Sequence, residues 1–536
     1  MAAARWRTWL VAVSVAGVVL ASSGVGGADP TAPAATFKSQ GKTPRVTAAV
    51  RMTKDLQAPA RAFSGPYMLA DPDNPRVIVA ATADMRTRIC YLIRSTDGGV
   101  SWHILPATPS PKSLPLCTSA NGGVPEAQLA WGRNHTLYYA LNGQSSGSLR
   151  SSSSVVLARS TDLGNSWSTT LVADNTANTQ APINDTVSSL AVDTSGSQDV
   201  VYVGWYQAHP GVRTGPGSEP EAMVARSGDG GKTFAAPVDV DPFSHVNLDV
   251  NGTNHTLVMY FPILAAGHGV VEVVGYPIEI DGTPPQQLLA ARSTDQGKTW
   301  TVQAVGIPAK QVYWPEVAWS PKGGPQGTFL AVYQAGNNQQ EGEASILFVR
   351  STDGGQSWTP AVRLDDDQVP LDTQFTPQIN VAPNGRVDVV WYDFRLQHGF
   401  APDVYYTHSS DDGATWAPNQ RITDRSIDFN FGVSTNSDMR QPPGVASADQ
   451  YAAVGWVDPR LADDLTQTQD VFGASAQYAA VPAAKSSTAP ILAAVFAGLI
   501  AAGIVLLGVA ATRRRRGAAT PTRAPSRADA RPAPRA

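Results

Sequence analysis

One nine-residue pattern recurs six times along the 536-residue chain, and it narrows the possible folds more than any other feature. It runs Arg-Ser-Thr-Asp-Gly-Gly-Val-Ser-Trp at Arg94–Trp102. Variants follow at Arg159–Trp167, Arg226–Phe234, Arg292–Trp300, Arg350–Trp358 and, opening with His, His408–Trp416. Their aspartates, Asp97, Asp162, Asp229, Asp295, Asp353 and Asp411, stand 65, 67, 66, 58 and 58 residues apart. A near-constant period of this length marks a repeat architecture, in which each unit buries its apolar face against the next. Within the pattern, Ser and Asp can bond the N–H groups of a tight turn, and Gly supplies its positive φ. The closing aromatic offers a large ring to bury.

Each copy follows an alternating apolar strand, such as Ser345–Val349 or Val404–Thr407, and so joins two antiparallel strands. A second hairpin lies upstream, clearest where Thr376–Val381 and Arg386–Asp393 flank the Asn384-Gly385 turn. Four strands per repeat make a propeller blade. A seventh unit without the pattern runs from Ser437 to Ser475 and supplies three strands. The segment Pro44–Arg51 is expected to add the missing outer strand and close the ring. The expected fold is therefore all-β, a propeller of seven blades with six as the alternative, plus one C-terminal transmembrane helix.

That helix is expected because Ile491–Ala511 is uncharged and apolar, long enough for a bilayer core of about 30 Å, and Arg513–Arg516 follow at once. The positive-inside rule puts the arginines in the cytoplasm and the bulk of the chain outside. Residues 1–28 read as a secretory signal, with Arg5 and Arg7 before an apolar run from Trp9 to Leu20. The resulting division is signal 1–28, linker 29–45, propeller 46–478, stalk 479–490, membrane helix 491–512 and basic tail 513–536. The net charge is −4, but eight Arg and one Asp lie within 513–536, so the middle of the chain carries about −13. So acidic a body is unsuited to nucleic acid, which is held by neutralising phosphates.

In each blade the first-to-second and third-to-fourth strand turns lie at one end of the strands. The remaining loops therefore emerge on the opposite, open face. This topology takes all six repeated aspartates away from the expected site. On the open face, the second strands end in recurring polar residues: Asn142, Gln207, Gln334, Asp393 and Asp458. Nearby stand Arg86, Arg88, Tyr313, Trp314, Glu316 and the run Asp365–Asp367, the last expected as a solvated loop rather than a calcium site. Aromatic rings beside planar polar groups suit carbohydrate, so Gln207, Trp314, Glu316, Gln334, Asp393 and Asp458 are the expected binding residues. The alternative is that the Asp–Arg pairs tie neighbouring blades together.

The pattern S-x-D-x-G-x-[ST]-W resembles the Asp-box of the sialidase (neuraminidase) superfamily, over roughly residues 60–480. The resemblance implies a propeller with structural aspartates. Enzymes of that superfamily grip a sugar carboxylate with three arginines, attack through a Tyr paired with a Glu, and use an Asp as acid/base. The resemblance makes Asp84 and Arg86 partial matches, and Arg395 and Arg460 could supply further arginines. It departs at Phe63-Ser64-Gly65-Pro66, where Ser stands in place of the first arginine, and no Tyr/Glu pair is assigned.

Other chemistries fit less well. Gly143–Gly147 satisfies G-x-S-x-G without the strand-to-helix turn that a nucleophile elbow needs. The eight His show no metal-ligand spacing, and no cofactor is expected. Cys90 and Cys117, the only two cysteines, are expected to form a disulfide near the open face. The expected function is recognition of a glycan or a surface protein, with an exo-acting sialidase and an envelope scaffold as alternatives.

Overall fold

A computed structural model of the chain describes residues 32–481 apart from 56–60, 88, 106–127, 145–152, 176–182, 209–220, 242–245, 251–252, 280–285, 310–311, 337–343, 368–373, 398–400 and 433–441. Seven antiparallel sheets follow one another round a ring, and the chain is a seven-bladed β-propeller. Blade 1 consists of Tyr67–Asp71, Asn74–Asp84, Ile89–Ser95 and His103–Ile104, from the axis outward. Blade 4 carries a fifth strand, Val246–Val250, paired with the long inner strand Thr253–Gly267. Blade 7 has only Gly444–Ala448, Tyr451–Asp458 and Asp470–Gln477 of its own. The expected signal, the membrane helix, the tail and most of the stalk lie outside the described residues.

The core is divided among seven apolar clusters, one at each junction of consecutive blades. The cluster between blades 7 and 1 packs Tyr451 and Val471 against Met68, Ile78 and Trp102, which closes the ring. Both faces of a blade are covered, so a strand such as Tyr451–Asp458 is buried at every position.

In the six Asp-boxes the side chains bond as the sequence suggests. At Asp295, one carboxylate oxygen accepts the N–H groups of Lys298 (3.0 Å) and Thr299 (2.9 Å), and the other accepts the Thr299 hydroxyl (2.7 Å). Those hydrogen bonds, the Thr299 hydroxyl first, hold the Asp295 carboxyl well below the ordinary range. The closing rings divide: Trp102 and Trp416 are buried, whereas Trp167, Phe234, Trp300 and Trp358 are half-buried.

The N-terminal stretch expected as a linker up to residue 45 is instead part of the ring from residue 33. Ala35 N–H donates to the Arg363 carbonyl on the outer edge of blade 5, Arg363 N–H donates back to the Pro33 carbonyl, and Thr36 and Lys38 bond Trp416 of blade 6. Arg45–Val46 and Val50–Arg51 then pair with Asp470–Gln477 as the outer strand of blade 7. The join is ionic as well. Asp470, fully buried, accepts Arg61 Nε (2.6 Å) and Thr53 Oγ1 (2.7 Å), with Arg51 at 3.0 Å. Blade 6 builds the same device from its own outer strand, where Arg421 and Thr423 bond Asp403. Arg51-x-Thr53 thus reproduces Arg421-x-Thr423 from the far end of the chain.

Candidate functional site: an aromatic axial cavity

Three inner strands share a local irregularity. Tyr260-Phe261-Pro262, Tyr313-Trp314-Pro315 and Phe375-Thr376-Pro377 occupy matching places in blades 4, 5 and 6, and strand register slips at each. Proline has no N–H for the ladder, so an extra residue bulges out. That residue takes a positive φ: 51° at Phe261, 49° at Trp314 and 48° at Thr376. For bulky side chains this backbone is strained and persists only where its surroundings impose it. Neighbouring blades supply the bracing. Ser188 and Ser189 of blade 3 both donate to the Pro262 carbonyl at 2.7 Å, and Gln334 accepts the Thr376 N–H.

The bulges place Phe261 and Trp314 in a cavity on the propeller axis, a space of ≈ 650 Å³ with the solvent at its mouth included. Tyr67, Gln128, Tyr276, Glu316 and Gln378 complete its working surface. The rings form a continuous wall: Phe261 meets Tyr276 at 5.8 Å between centroids, and Tyr276 meets Trp314 at 6.2 Å. Behind them Tyr260 packs on Tyr206 at 4.3 Å. Burial pushes the Tyr67 hydroxyl well above its ordinary pKa, and the charge of Glu316 pushes it further. Glu316 is the one carboxylate among the described lining residues, and no arginine or lysine is among them.

Of the residues expected from the sequence, Trp314 and Glu316 line this cavity. Arg395 and Arg460 do not; each bridges two carboxylates. Arg395 bonds Asp393 through Nε (2.9 Å) and Nη2 (2.7 Å), bonds Asp366 of blade 5 at 2.7 Å, and stacks on Tyr405. Arg460 repeats the arrangement one blade on, with Asp458, Asp424 of blade 6 and the Phe472 ring. Trp391 and Trp456 donate their ring N–H to the same aspartates, so each Trp-x-Asp-x-Arg run is an inter-blade clamp. The reach of the guanidinium to the preceding blade, invisible in one blade's sequence, decides this.

The other second-strand ends are also engaged. Asp84 accepts the Ala62 and Arg86 N–H groups, and exposed Arg86 donates to the Thr466 and Gln467 carbonyls of blade 7. Gln207 donates to Glu221, and Asn142 brackets the blade 3 bulge through Val187 N–H. The run Asp365–Asp367 is not a solvated loop. Asp365 is fully buried, and burial pushes its carboxyl up to about 7; Asp366 holds Arg395, and Asp367 accepts Gln374. Cys90 is buried and disulfide-bonded, and its expected partner Cys117 lies outside the described residues.

Sequence reasoning passed over Tyr67, Gln128, Phe261, Tyr276 and Gln378. A signal was present in the aromatic-x-Pro triplets of blades 4 to 6, which stand once in each of these blades.

No protein-family profile matches the chain, and no curated protein does. Among solved structures, it resembles a protein of unknown function from Dyadobacter fermentans at 16% identity and TM-score 0.42, over 80% of this chain and 98% of that one. The Hadza microbial sialidase Hz136 aligns at 13% identity and TM-score 0.42, over 83% of this chain and 95% of that one. A Penicillium chrysogenum alpha-L-arabinanase, solved with arabinobiose, aligns at 13% identity and TM-score 0.40, over 71% and 99%. Likeness this distant carries no weight for activity, and the blade count rests on strand pairing alone. By its own topology the chain is a seven-bladed β-propeller with an aromatic axial cavity.

Proposed function

We propose that this is a surface protein, anchored by one C-terminal helix, whose propeller recognises glycans through the axial cavity of its open face. The observation that carries the reading is the composition of that cavity: Trp314, Tyr276, Phe261 and Tyr67 beside the planar amides of Gln128 and Gln378 and one carboxylate, Glu316. Sugar rings offer C–H faces to aromatic rings and hydroxyls to amides and carboxylates. Sialic-acid hydrolysis asks for bidentate guanidinium groups around a carboxylate. The described lining residues include none, and Arg395 and Arg460 are held by two aspartates each. The reading is therefore recognition without sialidase chemistry. Placement outside the membrane rests on the apolar span 491–511 and the four arginines after it.

A second reading, a glycoside hydrolase, is favoured by one feature: Tyr67 and Glu316 share the cavity and interact electrostatically. The full chain in detergent, applied to a mixed glycan array, separates the two by scoring retained protein and released sugar. Retention without release, lost in Trp314→Ala, is the expected result. Sugar release abolished by Glu316→Gln would replace recognition with hydrolysis. Neither retention nor release would sink both and leave a protein scaffold.

A further inference from the structure

The ring is irregular at one junction on the Asp-box face. In four motifs the opening arginine reaches the turn of the next blade: Arg226 donates to Gln296, and three others to backbone carbonyls. Arg94 donates to the Leu163 carbonyl, Arg292 to that of Gly354, and Arg350 to those of Asp411 and Asp412. Blade 6 carries His408 in this place, and blade 7 has no Asp-box turn to receive it; the chain runs on to Tyr478 instead. The shorter side chain and the missing turn leave a second cavity, a space of ≈ 590 Å³ with the solvent at its mouth included.

His408 lines this cavity and is only 4% exposed. Its ring is fixed, stacked on Tyr406 at 5.7 Å and edge-on to Tyr478 at 5.1 Å. Its Nε2 is buried without a hydrogen-bond partner. Burial lowers the imidazole to about 4, so it is neutral and one ring nitrogen carries a proton to donate. Such an orphaned group is a standing cost that a ligand would remove.

The charges around it are unequal. Arg386 is neutralised by buried Asp388, through bonds of 2.8 and 2.9 Å. Asp449 contributes one negative charge and accepts the Asn384 N–H. Lys42 and Lys322 bring two positive charges, and neither has a carboxylate partner among the described residues. Lys42 donates to the Tyr478 carbonyl at 3.1 Å, which leaves two ammonium protons for another acceptor.

We propose that this cavity binds a phosphate group, free or as a monoester, between the Lys42 and Lys322 ammonium groups, with His408 Nε2 donating from its floor. The site is separate from the axial cavity and independent of glycan recognition. Equilibrium dialysis of the full chain at fixed ionic strength, against labelled inorganic phosphate and against a simple alkyl phosphomonoester, counts sites and shows which form is preferred. Saturable uptake of one equivalent is expected. Lys322→Met should weaken it by about tenfold, the loss of one charge-assisted contact. His408→Arg restores the residue of the other five copies and removes the Nε2 donor from the cavity floor, so binding should also fall about tenfold although a positive charge is added. Non-specific attraction predicts the opposite, stronger uptake in His408→Arg. That outcome, or no saturable uptake by the wild-type chain, overturns the proposal.

Discussion

Asp470→Asn should open the ring at its seam. Asp470 is fully buried and collects Arg61, Arg51 and Thr53, all from the N-terminal segment that completes blade 7. The amide keeps the size of the side chain but removes the charge facing Arg61, whose side chain is 10% exposed. Removing one partner of a buried ion pair costs about 3–5 kcal/mol, because the other charge stays buried and uncompensated. Arg51 is more exposed, at 25%, and adds less. A ring of roughly 450 residues, at about 2.1 cal/mol/K of unfolding entropy per residue, converts that loss into only about 3–5 °C of melting temperature. A thermal scan is thus a blunt assay, and the better one is amide hydrogen exchange of residues 45–54, read beside the denaturant midpoint. Asp403→Asn is the control, since Arg421, Thr423 and Ser426 bond it within a single blade. Exchange at 45–54 should rise in Asp470→Asn and not in Asp403→Asn. Equal release in both variants, or an Asp470→Asn cost below about 1 kcal/mol, would refute a seam held by this carboxylate.

Trp314→Ala should abolish glycan retention while leaving the fold intact, because the ring is half-buried at the cavity wall; unchanged retention would count against the axial site. Arg395→Ala should lower stability by about 3 kcal/mol and leave glycan binding unchanged, since it strands buried Asp393; chemical denaturation and array binding read the two effects. Glu272 is fully buried with both oxygens unpartnered, and burial raises its carboxyl far above the usual range. It therefore stays protonated in the fold, and its favourable contribution is complete below the unfolded pKa and lost as pH rises toward the folded one. Wild-type stability should fall relative to Glu272→Gln above about pH 4.3, by at most about 1.4 kcal/mol per pH unit, and parallel pH curves would refute this. Asp295→Ala should cost about 1–2 kcal/mol by releasing the Lys298 and Thr299 N–H groups, measured by denaturant midpoint.

The Asp-box period and the alternating strands around it determined the propeller and its two faces, because each depends only on local turn chemistry, whereas the choice of seven blades over six was decided by strand pairing in the closed ring. Ring closure was legible for a similar reason: three strands in the last unit leave an outer place to fill, and Pro44–Arg51 has strand character. The Arg51-x-Thr53 echo of Arg421-x-Thr423 was written there as well, although its meaning needs Asp470 in view. The site was legible only in part. Trp314 and Glu316 stood out as an aromatic and an acid at an open-face strand end, yet Arg395, Arg460, Asp393 and Asp458 looked equally suited to a ligand. Their partners, Asp366 and Asp424, lie just after the outer strands of the preceding blades, roughly 30 residues away along the chain. Whether a charged side chain faces a ligand or a neighbouring blade is a question of where its counter-charge sits, and only the closed ring answers it. The axial cavity likewise gathers one to three residues from each inner strand of blades 1 to 6, with Tyr276 added from a second strand, and exists because seven blades bring those strands to a common axis.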